Sequence, residues 1–77
     1  MIGDIRLLPF QREPEGHFPC DGRELDVGKF SALYALIGES FGSASKGHFK
    51  IPLVTQVPAP GLHWYIHAFD DDFPQFD

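Results

Sequence analysis

The sequence predicts a small α+β domain in which a few short, mostly antiparallel strands pack on one helix at about residues 27–37. Three observations carry this reading. Phe30, Leu33, Tyr34 and Ile37 recur at the spacing of one buried helical face. Short runs on either side, above all residues 62–69 (LHWYIHAF), carry the β-branched and aromatic residues that suit a pleated surface. Turn-forming pieces such as Pro14-Glu-Gly16, Asp21-Gly22 and Pro58-Ala-Pro60-Gly61 separate these runs.

Seventy-seven residues make one domain, and a domain of this size buries only about 60% of its unfolded surface. Such a core rarely supplies more than ~3–5 kcal/mol without staples or partners. The single cysteine excludes an internal disulfide framework. Aromatic residues make up 14% of the chain, enough that some must lie near the surface, where clustered apolar area marks an interface. An oligomer is therefore expected. Residues 1–69 hold seven acids against six bases, whereas residues 70–77 hold four Asp and no base. The chain thus divides into a nearly neutral domain, 1–69, and an acidic C-terminal tail, 70–77. It lacks the basic footprint of a nucleic-acid binder and an apolar run long enough to span a membrane. The first residues have no apolar h-region, so no secretory signal is expected and synthesis is placed in the cytoplasm.

Along the chain, residues 2–8 read as a strand, with Ile5 and Leu7 on one face and Pro9 closing it. Residues 10–16 are a polar loop. Residues 17–20 extend to Asp21-Gly22, a hairpin signal of the type I′ kind, and residues 23–25 would return as its second strand. Asp26 is the expected helix N-cap, and Gly38 sits where a positive-φ residue ends a helix. Residues 43–47 read as a mobile loop, and residues 48–51 as a short strand ending at Pro52. Residues 62–69 are the clearest strand. Leu62, Trp64, Ile66 and Ala68 share one face, and His63, Tyr65, His67 and Phe69 the other. Large side chains on both faces suggest that the domain covers one and a partner the other, which makes Trp64, Tyr65, His67 and Phe69 interface candidates, with Phe73 in the tail.

Over most of residues 3–69, and above all from Pro14 to Gly42, these pieces resemble the phage tail collar domain family. The family opens on Gly-x-Ile, here Gly3 and Ile5. It continues with Pro-x-Gly and Cys-Asp-Gly, here Pro14, Gly16, Cys20, Asp21 and Gly22. Leu33, Ile37, Gly38, Phe41 and Gly42 match its helix and glycine stop, and Phe49, Ile51, Pro52 and Leu53 its next apolar piece. Residues 61–68 look like the closing strand of compact bacterial members, the microcystin-dependent proteins among them. Two departures stand out. His17-Phe18 replaces a preferred Gly-Trp, and residues 52–57 (PLVTQV) lack the Asp and both Arg of the family's Pro-Asp-Leu-Arg-Gly-Arg. The resemblance implies a structural module of short tail fibres and related bacterial proteins, often trimeric, with no enzyme activity and no cofactor.

Several residues invite sharper chemistry. His63 and His67 share a strand face, but at about 3.3 Å per residue their Cα atoms stand about 13 Å apart, too far for one ion to bridge within a chain. A metal site could form if a symmetry axis gathered one histidine from each subunit, and His17 or His48 could also join from elsewhere in the fold; the plainer reading is partly buried histidines at a surface or interface. Asp70, Asp71 and Asp72 lack a calcium loop and read as a solvated tail. Cys20 and His17, three apart on a strand, point to opposite faces, which leaves Cys20 as a core residue. Turn and cap roles account for Asp21 and Asp26 without catalysis. Phe73, Pro74 and Phe76, set among Asp residues, have the composition of a docking peptide. The expected function is therefore a non-enzymatic structural and binding module, meeting a tail protein or cell-surface receptor. The alternative is a bacterial metal- or small-ligand-binding protein using inter-subunit histidines.

Overall fold

The computed structural model describes residues 1–9 and 11–70. Five strands and one helix follow in the order β1 (Ile5–Leu8), β2 (His17–Pro19), β3 (Glu24–Asp26), α1 (Ser31–Ile37), β4 (His48–Lys50) and β5 (His63–His67). They form two antiparallel sheets, one ordered β1-β5-β2 and the other β3-β4.

The last strand is the centre of the larger sheet. β5 pairs with β1 through Ile5–Ile66 and Leu7–Trp64, and with β2 through Phe18–Ile66 and Pro19–Tyr65. Pro19 has no N–H to give to a ladder, and β2 lies at a sheet edge, where that costs nothing. The strand expected over residues 62–69 is thus trimmed to His63–His67, because the backbone N–H groups of Ala68 and Phe69 turn to the Gly16 carbonyl instead.

The Asp21-Gly22 hairpin is not formed. β2 pairs with β5 and β3 with β4, so the two pieces expected to pair diverge into separate sheets. A type I′ turn needs positive φ at both central residues. Gly22 has it, at 78°, but no residue other than glycine does among those described. Asp21 instead bridges to Leu53, and Gly22 N–H donates to the Pro52 carbonyl at 3.2 Å.

The helix is shorter than expected, Ser31–Ile37 rather than 27–37. Asp26 does cap backbone N–H groups, but those of a turn preceding the helix. Its Oδ1 accepts from Gly28 N–H at 2.7 Å and Lys29 N–H at 3.0 Å, and its carbonyl accepts from Phe30 N–H at 3.1 Å. Phe30, at φ −119° and ψ 45°, separates that turn from the helix and bears no side-chain cap. At the far end Gly38 has the expected positive φ, 53°, and its N–H donates to the Tyr34 carbonyl at 2.8 Å.

Both sheets contribute to one core of Cys20, Leu25, Leu33, Phe49, Ile51, Ile66 and Ala68. Leu33 is the buried residue of α1, and Phe30, Tyr34 and Ile37 lie against the same cluster, the four positions of the apolar stripe. The Tyr34 ring meets Phe49 with ring centres 5.2 Å apart. The helix's other apolar residues, Ala32, Ala35 and Leu36, face outward. Ile5, on edge strand β1, is likewise exposed.

Candidate functional site

A groove of about 700 Å³ runs between residues 13–18, the turn at residues 28–30, and Phe69. Three phenylalanines build its apolar part. Phe18 from β2 meets Phe30 edge-on at 5.4 Å, and Phe69 closes the group at 6.0 Å from Phe18 and 5.9 Å from Phe30. These separations and tilted planes are those that aromatic quadrupoles favour. The Arg23 guanidinium lies 5.2 Å from the Phe18 ring centre in a cation–π contact. Bonds to Asp21 hold it there: Nη2 donates to Oδ2 at 2.8 Å, and Nε donates to both carboxylate oxygens. Those bonds hold the Asp21 carboxyl below the usual carboxylate range. Glu13, Glu15 and Lys29 supply charge along the groove.

His17 also lines this groove and is stacked on His67, with ring centres 4.6 Å apart and planes 17° from parallel. His17 Nδ1–H donates to the Glu15 carbonyl at 2.8 Å. His67 Nε2–H donates to the Phe69 carbonyl at 3.0 Å and lies 3.2 Å from Asp70 Oδ1. The pairing brought together is therefore His17 with His67, adjacent on β2 and β5, and not His63 with His67, four residues apart along one strand. His63 is exposed beside the Tyr65 ring. Among the described residues, no three His, Cys, Asp or Glu side chains converge on a point where a metal would sit.

The motif residues form the junctions around this groove. Pro14 and Gly16 make a turn closed by His17 N–H donating to the Pro14 carbonyl at 3.0 Å. Gly16, buried at φ 79°, offers its carbonyl to the N–H groups of both Ala68 and Phe69, at 2.8 and 3.1 Å. Those two hydrogen bonds to one carbonyl set Phe69 in the groove wall. Cys20 joins the two halves of the fold: its N–H donates to the Trp64 carbonyl at 3.0 Å and its carbonyl accepts from Val54 N–H at 2.9 Å. Burial, with Asp21 adding to it, pushes its thiol up to about 11. Gly22 passes so close to Leu53 that a Cβ would lie 3.3 Å from the Leu53 Cβ. Pro52 is buried next to it, and Gly42 closes the turn after α1 by donating to the Glu39 carbonyl at 3.2 Å.

The expectation that a partner covers one face of residues 62–69 is corrected at Tyr65. Its side chain is 2% exposed within the single chain, and burial, then the charge of Glu13, raises its pKa. Trp64 is half-buried and donates its indole N–H to the Gln56 carbonyl at 2.7 Å. His67 and Phe69 belong to the stack and the groove. Phe73 lies outside the described residues. Among the described residues, the exposed large apolar side chains are elsewhere: Met1, Ile5, Leu36, Phe41, Leu53 and Val57. The loop at residues 43–47, expected to be mobile, is tied to β3. Ser45 Oγ–H donates to the Glu24 carboxylate, and the Gly47 carbonyl accepts from Val27 N–H at 2.9 Å. Sequence reasoning missed the groove because Phe18 and Phe30 were each read locally; what unites them with Phe69 is the pairing of β2 with β5.

The phage tail collar domain matches residues 3–55, more than half of the chain, and the chain belongs to that family. This is a structural family of phage tail fibres. The match takes in β1 to β4 and α1 and stops before β5, the strand at the centre of the larger sheet. Neither the curated proteins nor the solved structures give a significant match.

Proposed function

We propose that this chain is a non-enzymatic structural and binding module of the tail-fibre type, which assembles as an oligomer, a trimer by its family likeness, for attachment or tail assembly. The family membership supports the structural role. The observation that carries assembly is Leu36, 65% exposed on the outward side of α1. It lies beside Gly3, where a Cβ would come within 3.3 Å of its Cδ1, and Met1 and Ile5 of the same N-terminal segment are exposed too. Exposed large apolar side chains are what an interface uses. The polar loops at residues 10–16 and 43–47 would then face the second partner, a tail protein or a cell-surface receptor.

Leu36→Glu tests the assembly. Dissociation with an unchanged circular dichroism spectrum supports it, and an unchanged mass removes Leu36 from the interface. Replacing either loop with Gly-Ser should abolish partner capture and leave the mass as it was. Full capture by both loop variants would contradict the assignment of the loops. In the histidine-based alternative His67 would ligate through Nδ1, since Nε2 is taken by the Phe69 carbonyl and Asp70, and less than one metal per oligomer by elemental analysis of untagged protein would dispose of it.

A further inference from the structure

We propose that the Phe18–Phe30–Phe69 groove is a docking site for this chain's own C-terminal residues, with Phe73 and Phe76 seated in it. The groove's volume, about 700 Å³, falls in the ~300–1,000 Å³ range of clefts that take compact apolar groups. Its walls are rings arranged edge-on, Phe18 with Phe30, or tilted, Phe18 with Phe69, geometries in which aromatic rings attract one another.

The position of the chain end selects the occupant. Phe69 is a wall of the groove, and Asp70, the next residue, is the last described. The seven residues that follow read Asp-Asp-Phe-Pro-Gln-Phe-Asp. Phe73 is three residues beyond Asp70, a reach of up to ~10 Å at the ~3.3–3.6 Å per residue of extended chain. The ring centres of Phe18 and Phe30 are 6.0 and 5.9 Å from that of Phe69, so Phe73 reaches them easily. Asp70 Oδ1, 3.2 Å from His67 Nε2, fixes the departure point beside the stacked histidines, and His17 of that stack also lines the groove.

The tail's chemistry suits the place. A residue that precedes proline is biased towards extended backbone, which would lower the cost of ordering Phe73. Among the residues that line the groove, Lys29 is the cation that the tail's carboxylates would meet. A tether this short gives an effective concentration in the millimolar range, so weak contacts suffice.

A nitroxide on Asp77→Cys of the full-length chain tests the proposal, since the buried Cys20 thiol is shielded from the labelling reagent. The amide signals of Gly16, His17, Lys29 and Phe30 should lose most of their intensity, while those of residues 43–47 keep theirs. Adding Phe73→Ala and Phe76→Ala to the labelled chain should restore the groove signals. Uniform broadening, no broadening, or broadening indifferent to the double substitution would each overturn the proposal. A mixture of isotope-labelled chains without nitroxide and nitroxide-bearing chains without isotope separates the occupants. Undiminished groove signals in the mixture support docking within one chain, and losses as large as in the doubly labelled chain would assign the groove to a second copy and overturn it.

Discussion

The imidazoles of His17 and His67 stack at 4.6 Å across the β2–β5 pair, and His17 lines the aromatic groove. His17 also donates to the Glu15 carbonyl and so ties the 13–16 turn to the sheet. His17→Ala removes the ring contact and that hydrogen bond together, and is expected to lower stability by about 1 kcal/mol. For a domain of this size that is a melting-temperature fall of ~4–8 °C. His63→Ala, at an exposed position, should change stability by no more than about 0.5 kcal/mol. Thermal melts of the two variants check the contrast.

Two leucines three residues apart on α1 should behave in opposite ways. Leu33 is fully buried among Leu25, Phe49 and Ile51, and Leu33→Ala should cost ~2–5 kcal/mol. Leu36→Ala removes an exposed side chain, and its effect on the unfolding of a single chain should stay within about 0.5 kcal/mol. Denaturant titrations at several protein concentrations check both, because only the Leu36 variant should change the concentration dependence.

Cys20 should be inert in the folded chain. Its thiol is raised from 9.0 to about 11, and the thiolate is the reacting form. At pH 8 its reaction with a disulfide reagent should be about 100-fold slower than in denaturant from the thiolate fraction alone. Labelling rates with and without denaturant measure this, and a fast native reaction would place Cys20 outside the core.

Acid should destabilise the fold through carboxylates held below their ordinary range. Asp21 is lowered chiefly by the Arg23 side chain, Asp26 by the N–H groups of Lys29 and Gly28, and Glu24 by Ser45. Each binds a proton more readily in the unfolded chain, so its stabilisation is complete above the unfolded pKa, near ~3.9–4.3. It is lost as pH falls through the lower folded value. The melting temperature should decline below about pH 4, and Asp21→Asn should make that decline shallower than in the wild type. An equal slope would mean that the Asp21–Arg23 pair contributes nothing to acid sensitivity.

The sequence made the apolar stripe of α1, the strand at its C-terminal end and the collar-type junction residues legible, because each is written in local spacing. Pairing was not local. Asp21-Gly22 has hairpin composition, yet Cys20 N–H and its carbonyl are claimed by Trp64 and Val54, more than thirty residues away in sequence, and the chain crosses between sheets there. Asp26 was legible as a cap but not as the cap of a separate turn, since the break at Phe30 is a backbone angle that side-chain spacing does not record. The groove was hidden for the same reason as the hairpin error: Phe18 and Phe69 meet only because β5 enters beside β2. Tyr65 was read as available to a partner because strand alternation names a face without saying what else the chain lays over it.

Light scattering of the untagged protein at high micromolar concentration, with and without chelator, tests the proposed assembly most directly. A mass of three chains that survives the chelator is the expected result. A monodisperse monomer in both conditions would contradict it, and a trimer that dissociates with chelator would replace the apolar interface at Leu36 with a metal held between subunits.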